Sequence, residues 1–290
     1  MSFKIAIASG KGGTGKTSVS VCLHHFIKKK ITDRIQLVDC DVEEPNDLLF
    51  FPKARKRKAH KLTQLIPVID KKKCNFCRKC ADYCEFNAIS ILPSVSLAQV
   101  NSSLCHSCGA CLVACEQEAI RETELPIGQI NFYQEGDQVS LLEGVLKIGS
   151  SMQTLVIKEL KKHVDEANQI TLYDAPPGTS CPVVETISDV DFIILVSEPT
   201  PFGLHDLKLM IELLKEIDKP FSVIINKVGL GNQDIYDYLK REQIEILGEI
   251  PFTQNFASQY AKGELLNSIP TLISDEFEKI TERLKKKIYA

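Results

Sequence analysis

Short segments that are apolar at nearly every position recur along the chain, at 3–9, 34–39, 169–174, 191–197, 220–226 and 245–250. Phe192-Ile-Ile-Leu-Val196 has no polar position on either face of a strand. That is the pattern of a parallel sheet covered by helices on both sides. Helical periodicity fills the stretches between, at 16–30, 201–217, 232–242 and 272–288. Strand, turn, helix, strand from Phe3 to Asp39 predicts the opening of a mostly parallel α/β sheet flanked by helices. In the last helix Phe277, Ile280, Leu284 and Ile288 share one face. Such a stripe is expected to pack on the sheet, although beside Lys285 to Lys287 it also suits a membrane surface.

The rhythm breaks between 67 and 125. There the chain reads CNFCRKCADYCEFNAISI and then CHSCGACLVACEQEAIRE, two runs with four cysteines, a glutamate and an Ala-Ile pair each. An internal duplication implies two similar halves packed as one small domain. The expected organisation is a discontinuous domain, 1–66 and 126–290, around an insert at 67–125. Residues 126–150, with Gly128, Gly136, Gly144 and Gly149, read as strands and loops returning to the sheet. The basic run Lys53 to Lys61 reads as a solvated loop, or as a dock for an acidic partner or nucleic acid.

Composition narrows the class. At 290 residues and 44% hydrophobic, the chain can bury one substantial core and a satellite. A net charge of −3 gives no basic excess, so nucleic acid is not an expected partner. No apolar run is long enough to span a bilayer, and Ser2-Phe3-Lys4 leads straight into a strand without an export signal. A cytoplasmic location is expected, with no membrane partner. Of the eleven cysteines, eight lie between Cys74 and Cys115; in a reducing compartment clustered thiols ligate metal more often than they pair. Cys22 and Cys40 are expected in packing, and the six histidines have no metal-like spacing.

Gly10-Lys11-Gly12-Gly13-Thr14-Gly15-Lys16-Thr17, followed by Ser18, matches the phosphate-binding loop and sits after a strand and before a helix. Its backbone N–H groups can turn inward around phosphate oxygens, with the helix N-terminus behind them. Lys16 is expected to reach the β- and γ-phosphates of ATP and Thr17 to ligate Mg²⁺.

Cys74-x₂-Cys77-x₂-Cys80-x₃-Cys84 and Cys105-x₂-Cys108-x₂-Cys111-x₃-Cys115 both have the spacing of bacterial ferredoxins. Three closely spaced thiolates wrap one [4Fe–4S] cubane while the fourth reaches the other cluster. Cys74, Cys77, Cys80 and Cys115 are therefore assigned to one cluster, and Cys84, Cys105, Cys108 and Cys111 to the second. Zinc also uses CxxC pairs, but does not explain two complete four-cysteine runs. Where proline usually follows the fourth cysteine, this chain has Glu85 and Glu116.

Lys11, which gives the loop the form KGGTGKT, resembles the deviant phosphate-loop group of MinD, ParA and the nitrogenase iron protein. The resemblance implies a nucleotide-sandwich homodimer in which Lys11 reaches the partner's phosphates, as an arginine finger does. It further implies that Asp41 orients the attacking water and that Asp39 and Asp174 support Mg²⁺ through water. Asn226 would read adenine, with Pro251 and Phe252 in the adjoining loop. Cys181 stands seven residues after Asp174, where the nitrogenase iron protein holds a cluster-ligating cysteine; here it implies a redox or metal thiol, or a small packing residue. Taken whole, the chain resembles MinD-superfamily ATPases with an inserted α+β ferredoxin-like domain. The function this implies is ATP hydrolysis coupled to electron transfer toward an unidentified redox partner. The alternatives are a cluster assembly or carrier ATPase and a redox-sensing positioning switch.

Overall fold

A computed structural model of the chain describes residues 2–136 and 138–289. The elements run β1 (Phe3–Ala8), α1 (Lys16–Lys30), β2 (Ile35–Asp39), β3 (Arg55–Ile69), α2 (Lys79–Asp82), β4 (Ile89–Leu92), β5 (Leu97–Val100), α3 (Ala110–Val113), β6 (Ile120–Glu135) and β7 (Gln138–Leu146). They continue α4 (Gln153–Lys161), β8 (Ile170–Asp174), α5 (Cys181–Ile187), β9 (Phe192–Ser197), α6 (Pro201–Glu216), β10 (Phe221–Val228), α7 (Asp234–Arg241), β11 (Ile246–Pro251), α8 (Gln254–Ala261) and α9 (Thr271–Ile288). Among the described residues, strands pair in the order β11-β10-β9-β1-β8-β2-β7-β6-β3, with every pair from β11 to β7 parallel.

Register decides where chemistry can gather. Asp39 of β2 lies opposite Asp174 of β8 and Glu143 of β7, and Asp174 lies opposite Ile7 of β1. Asp39 and Asp174 end their strands side by side, at the C-terminal edge where open α/β sheets place their ligands, with Glu143 beside them within β7. Helix α1, which starts from the phosphate loop, is buried nearly all round from Lys16 to Ile27, as a helix clamped between a sheet and its neighbours must be. In α9, Ile273, Phe277, Ile280 and Leu284 are fully buried against β11 and α1. The Phe277 ring stacks on Phe26 at 5.6 Å. Gly248 lets the helix come this close, since a Cβ there would lie 2.3 Å from Ile280 Cγ1. The apolar stripe of α9 thus faces protein.

By internal contacts the chain divides into two units: one of residues 1–59, 130–145 and 153–290, the other of 60–129 and 146–152. The chain passes from the first into the second within β3 and returns within β6. The second unit holds the antiparallel hairpin β4–β5, registered from Ile89↔Val100 to Leu92↔Leu97, and the one-turn helices α2 and α3. Its apolar cluster is small: Ile89, Ile91 and Ala98 with the thiol-bearing Cys80 and Cys111.

The basic run departs from the solvated loop expected of it. Residues 55–61 form the first half of β3, the edge strand, with every side chain exposed. A strand covered on neither face needs no apolar alternation, and lysine and arginine on an edge oppose pairing with other chains. Helices α4, α5 and α8 were not anticipated; each is short, at nine, seven and eight residues, and weak periodicity over two turns does not stand out from a loop.

Phe277→Ala is expected to destabilise the first unit by about 3–5 kcal/mol in denaturant melts, as for other buried phenylalanines. A loss below about 1 kcal/mol would mean that α9 contributes little to the core.

Candidate functional site

The phosphate loop lines a cleft of about 1150 Å³, open solvent included. Lys11 to Ser18 form one wall, and Asp41, Asn226, Pro251 and Phe252 join them, so these residues expected from sequence do converge. Phe256 and Tyr260 of α8 complete the wall and were not anticipated. Gly15 is left-handed at φ 88°, and a Cβ there would meet Asn226 Nδ2 at 2.2 Å, so the position excludes any side chain. The Asn226 amide donates to the Thr14 carbonyl at 2.8 Å, holding the loop from below.

At the loop's end Lys16 Nζ donates to Asp174 Oδ1 at 3.0 Å. Thr17 Oγ1 donates to Asp174 Oδ2 at 2.9 Å and Ser20 Oγ to Oδ1 at 2.8 Å. Asp39 accepts from the backbone N–H groups of Asp41, Asn46 and Asp47 at 3.1, 2.9 and 3.0 Å, which folds the turn after β2 back over its own strand end. Asp47, unmarked by any motif, brings a third buried carboxylate to within 4.8 Å of Asp39 and Asp174.

Burial would depress the Lys16 ammonium, but Asp174, with Asp41 and Asp39 behind it, raises it above its ordinary value. Burial and the charge of Asp174 push Asp39 up to about 8, against opposing hydrogen bonds from the Asp47 and Asp41 backbone and the charge of Lys16. Burial also lifts Asp41 to about 6, though Lys16 opposes it. Asp47 lies well above the usual range through burial and its two acidic neighbours.

Lys11 does not point freely into the cleft. Its Nζ donates to Glu198 Oε1 at 2.6 Å, while Lys227 Nζ donates to Glu198 Oε2 at 3.1 Å and to the Gly13 carbonyl at 2.6 Å. Burial pushes the Glu198 carboxyl up, yet the two lysine hydrogen bonds outweigh it and hold the group below its ordinary value. Glu198 follows β9 directly, and nothing local in the sequence announced its partner, 187 residues away.

In the second unit the eight thiols fall into two pockets. Cys74, Cys77, Cys80 and Cys115 line one of about 330 Å³, and Cys84, Cys105, Cys108 and Cys111 line the other, of about 380 Å³, open solvent included in both. The two runs follow the same path 31 residues apart: Phe76 and Ser107, Arg78 and Gly109, Asn87 and Glu118 are all left-handed. Backbone N–H groups donate to sulfur in both, from Phe76 to Cys74 at 3.4 Å, Ser107 to Cys105 at 3.5 Å, Ala88 to Cys84 at 3.3 Å and Ala119 to Cys115 at 3.3 Å. Glu116 is ion-paired with Lys79, across the two halves, whereas no ion pair is recorded for Glu85 among the described residues. Cys22 and Cys40 are buried. Cys181 is exposed at the start of α5 and joins no group of metal-ligand side chains among the described residues.

With chelator present and nucleotide absent, stability is expected to fall as pH rises. A carboxyl raised from 3.8 to about 8 favours folding while protonated; that contribution is complete below its ordinary value and is lost as pH climbs through about 8. Asp39→Asn cannot titrate, so its melting temperature is expected to gain on the native chain's between pH 5.5 and 8.5. A pH-independent difference would mean that Asp39 ionises normally.

The chain matches the family described as the CobQ/CobB/MinD/ParA nucleotide binding domain over residues 5–266. An uncharacterized protein of Methanocaldococcus jannaschii is 32% identical over 284 residues, covering 98% of this chain and 96% of that one. Shorter matches reach the iron-sulfur cluster carrier protein of the same organism, 29% identical over 135 residues (40% of this chain, 46% of that one). They also reach the ferredoxin-type protein NapF of Escherichia coli K12, 47% identical over 47 residues (15% and 29%). In fold the chain is similar to the septum site-determining protein MinD of Pyrococcus horikoshii complexed with Mg-ADP, with a TM-score of 0.62 at 17% identity over 99% of this chain and 97% of that one. Among the described residues, no helix is long and apolar enough to cross a membrane. A phosphate loop at the head of a parallel sheet, in a chain matched from Ile5 to Leu266, makes this a member of the CobQ/CobB/MinD/ParA nucleotide-binding family.

Proposed function

We propose that the chain is an ATP-hydrolysing iron–sulfur protein that couples nucleotide-driven changes in the loops after β2 and β8 to electron transfer through two [4Fe–4S] clusters. The observation carrying this reading is the crossed grouping of thiols, three from one run with the fourth from the other, in both pockets. The small apolar cluster of the second unit also favours a metal staple, because a core of that size stabilises little alone.

A cluster so held supplies one-electron chemistry; the chain contributes the cage, the N–H···S bonds that stabilise sulfur charge, and the nucleotide machinery. On the nucleotide side, Lys16 would exchange Asp174 for phosphate oxygens and Thr17 would turn from Asp174 to Mg²⁺. Asp174 and Asp39 would then hold the cation's waters, and Asp41, at the cleft wall, would orient the attacking water. Lys11 must leave Glu198 before it can reach a partner's phosphate in a homodimer, so closure of the dimer would itself be a switch. Adenine would lie against Asn226, Pro251 and Phe252.

Anaerobic redox titration followed by EPR, with and without MgATP, tests the coupling. Two cubanes are expected, with midpoints that move on adding MgATP in the native chain and stay fixed in Lys16→Ala. Midpoints indifferent to nucleotide in both would remove the coupling. The crossed ligand set has its own test: Cys115→Ser is expected to disturb the cluster wrapped by Cys74, Cys77 and Cys80 and to spare the other. Loss confined to the Cys105–Cys111 cluster would refute the crossing.

A cluster carrier is the second reading, favoured by the 135-residue match to an iron-sulfur cluster carrier protein and by the exposed thiol of Cys181. ATP-stimulated transfer of a cluster to an apo-acceptor, abolished in Cys181→Ser, would decide for it.

A further inference from the structure

Asp47 opens a single 3₁₀ turn, Asp47–Phe50, just after the loop that follows β2. Its side chain is wholly buried, and neither carboxylate oxygen has a hydrogen-bond partner. Buried polar groups are nearly always satisfied, and a carboxylate left without donors is among the costliest exceptions. Its neighbours do not relieve it. Asp39 already accepts three backbone N–H groups, and Asp174 takes Lys16, Thr17 and Ser20. Glu143, beside Asp39 in the sheet, has Asn131 Nδ2 at 2.7 Å and the Tyr133 hydroxyl at 3.0 Å.

Oxygens of Asp39, Asp47 and Asp174, contributed by three separate segments, lie within 4.8 Å of one another. Lys16 is the cation paired within this group, at 3.0 Å from Asp174. If all three were ionised, three carboxylates against one ammonium would leave two negative charges over. A divalent cation has the charge to balance them, and an all-carboxylate donor set selects a hard one such as Mg²⁺ or Mn²⁺. Asn46 (next to Asp47), Asp41 (two residues after Asp39) and Thr17 (hydrogen-bonded to Asp174) line the open cleft, so the group lies at its margin.

We propose that Asp47, with Asp39 and Asp174, forms a divalent-cation site that fills in the absence of nucleotide. This differs from the cation that accompanies ATP, for which Thr17 and the phosphates are the direct ligands. The cation satisfies the Asp47 oxygens and ties the turn after β2 to the end of β8.

The full chain, purified anaerobically and freed of nucleotide, is titrated with Mn²⁺ alone, and unbound Mn²⁺ is read from its room-temperature EPR signal. One Mn²⁺ per chain is expected, with affinity lowered on the order of tenfold or more in Asp47→Asn. Lys16→Met moves the other way: it removes the competing ammonium and is expected to tighten Mn²⁺ binding while weakening MgATP binding. This variant also serves if Asp47→Asn does not fold. Absence of Mn²⁺ binding without nucleotide overturns the proposal, as does unchanged affinity in Asp47→Asn or weakened affinity in Lys16→Met. Binding of MgATP is measured separately, so a chain that takes MgATP but not Mn²⁺ alone loses this site and keeps its nucleotide reading.

Discussion

An ammonium and a carboxylate, both almost wholly out of water, meet where the phosphate loop passes the end of β8. The Lys16–Asp174 pair at 3.0 Å is the contact on which the rest of the nucleotide site depends. Burying two charges is expensive, and Coulomb attraction repays it only when the remaining hydrogen-bonding capacity is filled. Here Thr17 and Ser20 fill it on the carboxylate side. All three donors belong to the first turns of α1, so the pair joins the start of that helix to the adjoining strand. Gly15, with the Asn226 amide packed over it, then has one path into the helix. A bound phosphate would compete with Asp174 for the same ammonium, so the contact that shapes the loop is also the one ligand binding must break.

A consequence of this arrangement is a local crowding of carboxyl groups at the C-terminal edge of the sheet. Parallel pairing sets Glu143 of β7 beside Asp39 and Asp174 at the ends of β2 and β8, and the turn that closes over Asp39 delivers Asp47 to the same place. Each acid has a different remedy. Glu143 is hydrogen-bonded by neutral groups, Asp174 has a lysine, Asp39 has backbone N–H groups, and Asp47 has none. Protons or cations would have to supply what the protein does not, in the turn that follows β2.

The phosphate loop and the thiol grouping were legible because each is written in local spacing. Lys16 follows a glycine run between a strand and a helix, and Cys84 and Cys115 lie four residues beyond their triplets, about one helical turn. The run of apolar parallel strands and the packing of the last helix on the sheet were legible too, since Phe277, Ile280 and Leu284 repeat at the helical period, but the order β11-β10-β9-β1-β8-β2 was not. Asp47 and Glu198 were not, because their roles come from contacts across long sequence separations: Glu198 meets Lys11 over 187 residues. The basic edge strand was hidden for another reason. A strand with both faces in water has none of the alternation by which strands are read.

Arg78 and Gly109 hold the same place in the two cysteine runs, and both backbones are left-handed, at φ 70° and 74°. Glycine adopts this conformation freely, whereas a side-chain-bearing residue there costs roughly 1–2 kcal/mol. Phe76 and Ser107 repeat the geometry with no glycine at all. The two cages are thus copies of one backbone path more than of one sequence. Anyone transplanting such a cage into another scaffold should reproduce its torsion angles first and choose its side chains second.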